Sequence, residues 1–208
     1  MEKIGIMGGT FDPIHYGHLV AAQGALWAYD LDEVIFVPSG RPPHKEQHRV
    51  TSPWDRYLMT LLATVSNHRF TVSPVEVERP GPSFTVDTVR HFQQERGPEC
   101  DLFFITGADA IMEIPSWRNT EGLLEMCHFI AASRPGYSEE LFMAFVESRP
   151  ENQKKRMHRL EVPALAISSS DLRRRVREGE PIKYLLPESV EGYIFKLGLY
   201  RNGKKRPE

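Results

Sequence analysis

Two histidines, His15 and His18, follow a glycine pair in the stretch Ile4-Gly5-Ile6-Met7-Gly8-Gly9-Thr10-Phe11-Asp12-Pro13-Ile14-His15-Tyr16-Gly17-His18. Residues three apart share one face of a helix, and imidazoles donate hydrogen bonds well to phosphate oxygens. Gly8-Gly9 leaves the backbone bare and able to take positive φ, so that a ligand can press close. The helix that follows offers unpaired N–H groups and the positive end of its dipole. Together these residues describe a site for phosphate. A second such place is Leu165-Ala166-Ile167-Ser168-Ser169-Ser170-Asp171-Leu172-Arg173, which reads as a strand entering three serines and then a helix. There Ser168 and Ser169 can hold phosphate oxygens, and Arg173, one turn in, adds a charge-assisted forked contact.

Other chemistries fit these residues less well. A histidine pair can bind a metal, but the remaining histidines and the isolated Cys100 and Cys127 lack ligand-like spacing, so no protein-held metal is expected. The dinucleotide fingerprint Gly-x-Gly-x-x-Gly is absent, and no acidic residue closes the next strand, which disfavours nicotinamide redox chemistry.

Elements must hold these groups in place. Asp12-Pro13 signals a helix start, and Leu19, Ala22, Leu26 and Tyr29 continue it at helical spacing from about 13 to 29. Glu33-Val34-Ile35-Phe36-Val37-Pro38 is a second apolar strand, which completes a right-handed βαβ unit. Ser52-Pro53-Trp54-Asp55 opens a further helix whose Leu58, Leu61, Leu62 and Val65 mark its buried face, with Trp54 and Arg56 structural. Phe70-Thr71-Val72-Ser73 reads as a third strand continued by Val75-Glu76-Val77-Glu78. A Ser/Thr-capped helix begins at Ser83-Phe84-Thr85 and stops at Gly97. Strands at Asp101-Leu102-Phe103-Phe104-Ile105 and His128-Phe129-Ile130-Ala131-Ala132-Ser133 flank a short helix from 121 to 126, and a further helix spans about 138–146. The last part is helical from about residue 168, a helix from 187 to 197 seals the core with Val190, Tyr193, Ile194 and Leu197, and 201–208 is read as a frayed tail.

Gly8-Gly9-Thr10-Phe11-Asp12-Pro13-Ile14-His15-Tyr16-Gly17-His18 resembles the signature of the nucleotidyltransferase superfamily that carries His-x-Gly-His, and Gly-Gly-Thr-Phe-Asp-Pro is similar to its bacterial nicotinate-nucleotide adenylyltransferase branch. Ser168-Ser169-Ser170-Asp171-Leu172-Arg173 is similar to that family's Ser-Ser-Thr-x-Ile-Arg motif, with Ser170 and Leu172 as departures that keep hydroxyl and bulk. The resemblance spans nearly the whole chain. Class I aminoacyl-tRNA synthetases share a histidine motif but are longer and have a lysine-rich signature absent here.

The resemblance implies an α/β fold, Rossmann-like and doubly wound, with a mostly parallel sheet and helices on both faces, forming a single domain over 1–208. It implies AMP transfer from ATP to the 5′-phosphate of nicotinate mononucleotide. Gly8, Gly9, Thr10, Phe11, His15, His18, Gly107, Asp109, Ser168, Ser169 and Arg173 would meet ATP, and His44, Lys45, Thr85, Trp117 and Arg134 the mononucleotide. His15, His18, Lys45 and Arg173 would carry catalysis, with Mg2+ riding on the ATP phosphates. On residues alone, Lys45 in Arg41-Pro42-Pro43-His44-Lys45 fits a solvated loop better than a phosphate clamp, Trp117 fits core packing as well as ring stacking, and Arg134 fits the surface. The family pattern favours function for Lys45 and Trp117. A relative using nicotinamide mononucleotide or phosphopantetheine, or a nucleotide sensor without turnover, are the competing readings.

Composition sets the partners. A chain of 208 residues with 40% hydrophobic and 26% charged content is globular, and its net charge of −2 gives no general attraction to nucleic acid or an anionic membrane. The basic runs Lys154-Lys155-Arg156 and Lys204-Lys205-Arg206 lack interleaved aromatics, and the stretch from Arg149 to Arg159 reads as solvated faces or loops. No membrane-spanning run or secretory segment is read, so cytoplasmic residence is expected. A homo-oligomer is compatible with the composition but not defined by it.

Overall fold

The computed structural model describes residues 1–42, 50–111, 113–133, 139–163 and 165–201. Six strands form one parallel sheet: β1 (Glu2–Gly9), β2 (Glu33–Pro38), β3 (Phe70–Val72), β4 (Cys100–Gly107), β5 (His128–Ser133) and β6 (Met157–Glu161). Their order is β3-β2-β1-β4-β5-β6, so that the winding reverses between β1 and β4. In such sheets a crevice opens outside the carboxyl ends of the strands at the reversal. Register places Gly9 beside Pro38 and Met7 beside Ile105.

Side chains alternate across each strand, and both faces are covered. Met7, Phe36, Phe103, Ile105 and Ile130 face a core completed by α1 (Tyr16–Ala28), α2 (Pro53–Thr64), α9 (Ser169–Glu178) and α10 (Glu188–Leu197). Ile4, Ile6, Ile35, Val37, Leu102, Phe104 and Phe129 face a second core, closed by α4 (Thr85–Arg96), α6 (Thr120–Met126) and α7 (Glu139–Glu147). Burial on both faces explains why these strands read as continuous apolar runs. Short helices α3 (Val75–Glu78), α5 (Ala108–Ile111) and α8 (Glu151–Lys154) complete the set.

Several expectations are corrected. Val75–Glu78 is a helical turn rather than strand, because Glu78 N–H bonds back to the Pro74 carbonyl and Glu76 turns inward. The last described strand is Met157–Glu161 rather than the expected Leu165–Ile167. Met157–Glu161 takes the free edge of β5 instead, from Phe129 beside Met157 to Ser133 beside Glu161. That strand lies partly inside the charged stretch read as loops, and its exposed polar side chains suit an edge.

The buried face of α2 is rotated from the expected one, although Leu62 packs on the core as expected. Leu58 and Leu61 are exposed and Val65 is 79% exposed, whereas Asp55, Arg56, Met59, Thr60 and Ala63 are buried. Polar anchoring sets this rotation. Thr60 and Thr64 hydroxyls donate to the carbonyls one turn earlier, and the Arg56 guanidinium points inward to backbone carbonyls.

Candidate active site

The glycine pair is not a turn. Gly8 and Gly9 are the last two residues of β1, and neither takes positive φ. Their bareness serves packing: a β-carbon on Gly8 would lie 2.8 Å from the Phe104 ring, and one on Gly9 2.8 Å from the Phe11 ring. The left-handed conformation falls on Phe11 (φ 48), whose ring is buried against Phe36 and edge-on to His18 at 5.1 Å. Only the Phe11 backbone is therefore left to meet a ligand.

Beyond Phe11 the chain is held by its carbonyls. Arg56 Nη1 donates to Thr10 O at 2.7 Å, Arg173 Nη1 to Asp12 O at 2.7 Å, and Ser169 Oγ to Pro13 O at 2.9 Å. The Asp12 carboxylate accepts from Tyr200 Oη at 2.7 Å and from Thr51 N at 3.4 Å. It is thereby drawn away from capping a helix, and α1 begins three residues after Pro13, with His15 at the capping position. Burial and the neighbouring Asp12 push the Tyr200 hydroxyl far above its usual range, which keeps it a neutral donor.

His15 and His18 stack with ring centres 3.8 Å apart. His15 N–H donates to His18 Nδ1 at 3.2 Å, so a neutral His18 carries its proton on Nε2. His15 is 3% exposed, and His18 is half-buried. Gly17 between them is required by contact, since a β-carbon there would meet the His15 ring at 3.0 Å.

The serines at the start of α9 have structural partners. Ser168 caps the helix by accepting from Asp171 N at 3.1 Å, Ser169 reaches Pro13, and Ser170 accepts from Arg173 Nη2 at 3.4 Å. The predicted helix start is therefore present, and it adjoins the start of α1. Arg174 and Arg175 form a surface ion-pair network with Asp171 and Glu180.

A cavity of about 560 Å³ opens at the carboxyl ends of β1, β2 and β4. Its lining includes Gly8, Gly9 and Thr10 together with Thr85 and Trp117, so residues expected to meet the two substrates share one space. Its size is that of a small-ligand site. Trp117 is half-buried and stands edge-on to Phe104 at 5.9 Å, so it packs on the core and lines the cavity at once. Thr85 opens α4, but the helix lacks a side-chain cap, because the Ser83 hydroxyl instead accepts from Gly40 N at 2.9 Å and Arg41 N at 3.2 Å. Gly107 ends β4 and is exposed; Asp109 lies in α5, described by its backbone alone. His44, Lys45 and Arg134 lie outside the described residues.

Sequence reading missed several cavity residues, Glu76, Glu113 and Arg118 among them. Glu76 is buried, accepts from Thr88 Oγ1 at 2.5 Å, and is pushed upward by burial, partly opposed by Thr88 and Ser83. Arg118 sits 4.8 Å from the Phe84 ring centre at the cavity wall. Its position beside Trp117 was the only signal for it. Nothing in the alternating Val-Glu-Val-Glu pattern marked Glu76 as buried.

Residues 6–175 match the family model described as cytidylyltransferase-like. A Moorella thermoacetica protein named "Probable nicotinate-nucleotide adenylyltransferase" is 59% identical over 96% of this chain and 92% of its own length. A Desulfitobacterium hafniense protein of the same name is 54% identical over 96% of each. Among solved structures, Plasmodium falciparum nicotinic acid mononucleotide adenylyltransferase complexed with NaAD aligns with a TM-score of 0.76 at 23% identity, over 96% of this chain and 98% of that one. The shared fold is thus Rossmann-like and doubly wound. On the family match and on identity along nearly its full length, this chain belongs to the cytidylyltransferase-like family and, within it, to the nicotinate-nucleotide adenylyltransferases.

Proposed function

We propose that the chain joins ATP and nicotinate mononucleotide by adenylyl transfer, releasing pyrophosphate and forming deamido-NAD for NAD biosynthesis. The 5′-phosphate oxygen of the mononucleotide attacks the α-phosphorus. The new P–O bond forms as the α–β bridge breaks, and pyrophosphate leaves in line with the electron pair. The nucleophile is already ionised, so no general base is needed; catalysis is alignment plus neutralisation of phosphoryl charge.

One observation carries this reading. Ser169 and Arg173 of α9 hold the carbonyls of Pro13 and Asp12, so two helix starts meet one turn, and that turn's Thr10 lines the cavity shared with Thr85 and Trp117. In the proposed roles, His15 and His18 contact the α- and β-phosphates, and Arg173 and Lys45 take the charge of the departing pyrophosphate. The Gly8–Phe11 backbone, Ser168 and Ser169 hold the triphosphate, and Gly107 and Asp109 the ribose. His44 and Arg134 complete the mononucleotide side. Mg2+ would ride on the ATP phosphates and supply neutralising charge there.

Two features support an acid rather than an amide at the ring. The α4 start favours a carboxylate, and the Arg118 guanidinium stands at the same wall. The test is pyrophosphate release with nicotinate and nicotinamide mononucleotides in competition. Preference for the acid is expected. Equal use would remove the assignment of substrate, and tight ATP binding without any release would favour the sensor reading.

A further inference from the structure

We infer that Arg56 is a positioning residue for the nucleotide site, holding the turn after β1 and the end of β2 in one geometry through three backbone carbonyls. Resting on the adenylyl-transfer reading, it adds a residue that touches no substrate.

Arg56 is fully buried and is the largest side chain so placed among the described residues. Its guanidinium donates from Nη1 to Thr10 O at 2.7 Å, from Nη2 to Gly40 O at 3.1 Å, and from Nε to Thr51 O at 2.9 Å. Burying a cation is costly unless it is fully hydrogen-bonded, and an apolar side chain would fill the same space at lower cost. What only a guanidinium provides is a rigid planar fork that reaches three acceptors at once. The more distant carboxylates of Asp12 and Glu76 favour its charge, while burial opposes it.

All three acceptors lead to the site. Thr10 lines the cavity. Gly40 donates its N–H to the Ser83 hydroxyl, also on the cavity wall, and a β-carbon on Gly40 would lie 2.0 Å from the Glu76 carbonyl. Thr51 donates its own N–H to Asp12, whose carbonyl Arg173 holds. One guanidinium therefore sets the spacing between the turn expected to hold phosphates and the wall expected to hold the second nucleotide. Glycine at 40 and arginine at 56 are both demanded by this approach.

Arg56→Lys keeps the charge but cannot reach three carbonyls. The full chain carrying it, shown by circular dichroism to be folded at the assay temperature, is expected to lose roughly tenfold or more in kcat/KM for ATP, because small misplacements of bound reactants cost rate steeply. In Arg56→Ala, added guanidinium should restore activity, whereas methylammonium at equal ionic strength should not. A purely structural defect would be worsened by guanidinium, which weakens folding. A folded Lys variant with unchanged kcat/KM overturns the inference, as does a loss that only tracks the unfolded fraction. If Arg56→Ala does not fold, the Lys variant decides. Absence of pyrophosphate release by the unaltered protein would overturn the adenylyl-transfer reading instead, so the two failures are distinct.

Discussion

Ser169 donates its hydroxyl to the Pro13 carbonyl at 2.9 Å, joining residues 156 positions apart in the chain. Through that contact the start of α9 is fastened to the turn that leads into α1. A side chain–backbone hydrogen bond of this kind contributes about 1 kcal/mol, and a stranded buried carbonyl costs more. Ser169→Ala should lower the melting temperature by a few degrees, since about 1 kcal/mol shifts a domain of this size by ~2–4 °C. It should also reduce turnover beyond what the stability change explains. Calorimetry and pyrophosphate release on the same preparation would separate the two, and unaltered turnover would mean that the two helix starts need not be held together.

His18 bears the sharpest prediction for rate. Its Nδ1 is occupied by His15 N–H, which leaves the proton of the neutral ring on Nε2 as a donor. Losing one preorganised donor to a developing phosphoryl charge typically costs ~10²-fold or more. His18→Ala should therefore cut kcat at least about a hundredfold while circular dichroism stays native. Near-normal turnover would remove His18 from the phosphate site.

The parts of this arrangement legible in sequence were those written locally. The apolar runs of β1, β2, β4 and β5 and the Gly-terminated α4 were read correctly because period, length and turn residues lie within a few positions of one another. The motif histidines and Arg173 were recognisable by resemblance. What escaped was tertiary. The rotated face of α2 goes with the capture of Arg56 by the carbonyls of Thr10, Gly40 and, just before the helix, Thr51, and β6 forms because β5 offers an unpaired edge. Gly8 and Gly9 were read as a phosphate turn, whereas the rings of Phe104 and Phe11 occupy the space beside them. Asp12 likewise looked like a cap until Tyr200, far along the chain, claimed its carboxylate.

Trp117 and Arg118 should act on one substrate and not the other. Trp117 lines the same cavity as Gly8 and Gly9, and aromatic stacking contributes ~0.5–1.5 kcal/mol beyond area burial. Trp117→Ala should raise KM for nicotinate mononucleotide by roughly tenfold and leave KM for ATP near its original value. Arg118→Ala should narrow the preference for the acid over the amide. Equal effects on both substrates would place these residues in general packing rather than recognition.

A final prediction concerns acid stability at the opposite end of β5. His128 Nδ1 and His158 Nε2 are 2.9 Å apart, with the rings stacked beneath Tyr29 and Phe103. Burial, and then the neighbouring His128, lower the His158 pKa from 6.5 to about 4. His128 is lowered by burial and by Arg156, with Asp101 opposing. Between these values the unfolded chain takes up a proton that the native protein refuses, so stability is full above pH 6.5 and declines as pH falls toward about 4. His158→Phe keeps the stacking and removes the titration. Melting temperature plotted against pH should fall less steeply for the variant across that window, with the two curves parallel above it. Parallel curves throughout would mean that the pair ionises in the native state much as it does in the unfolded chain.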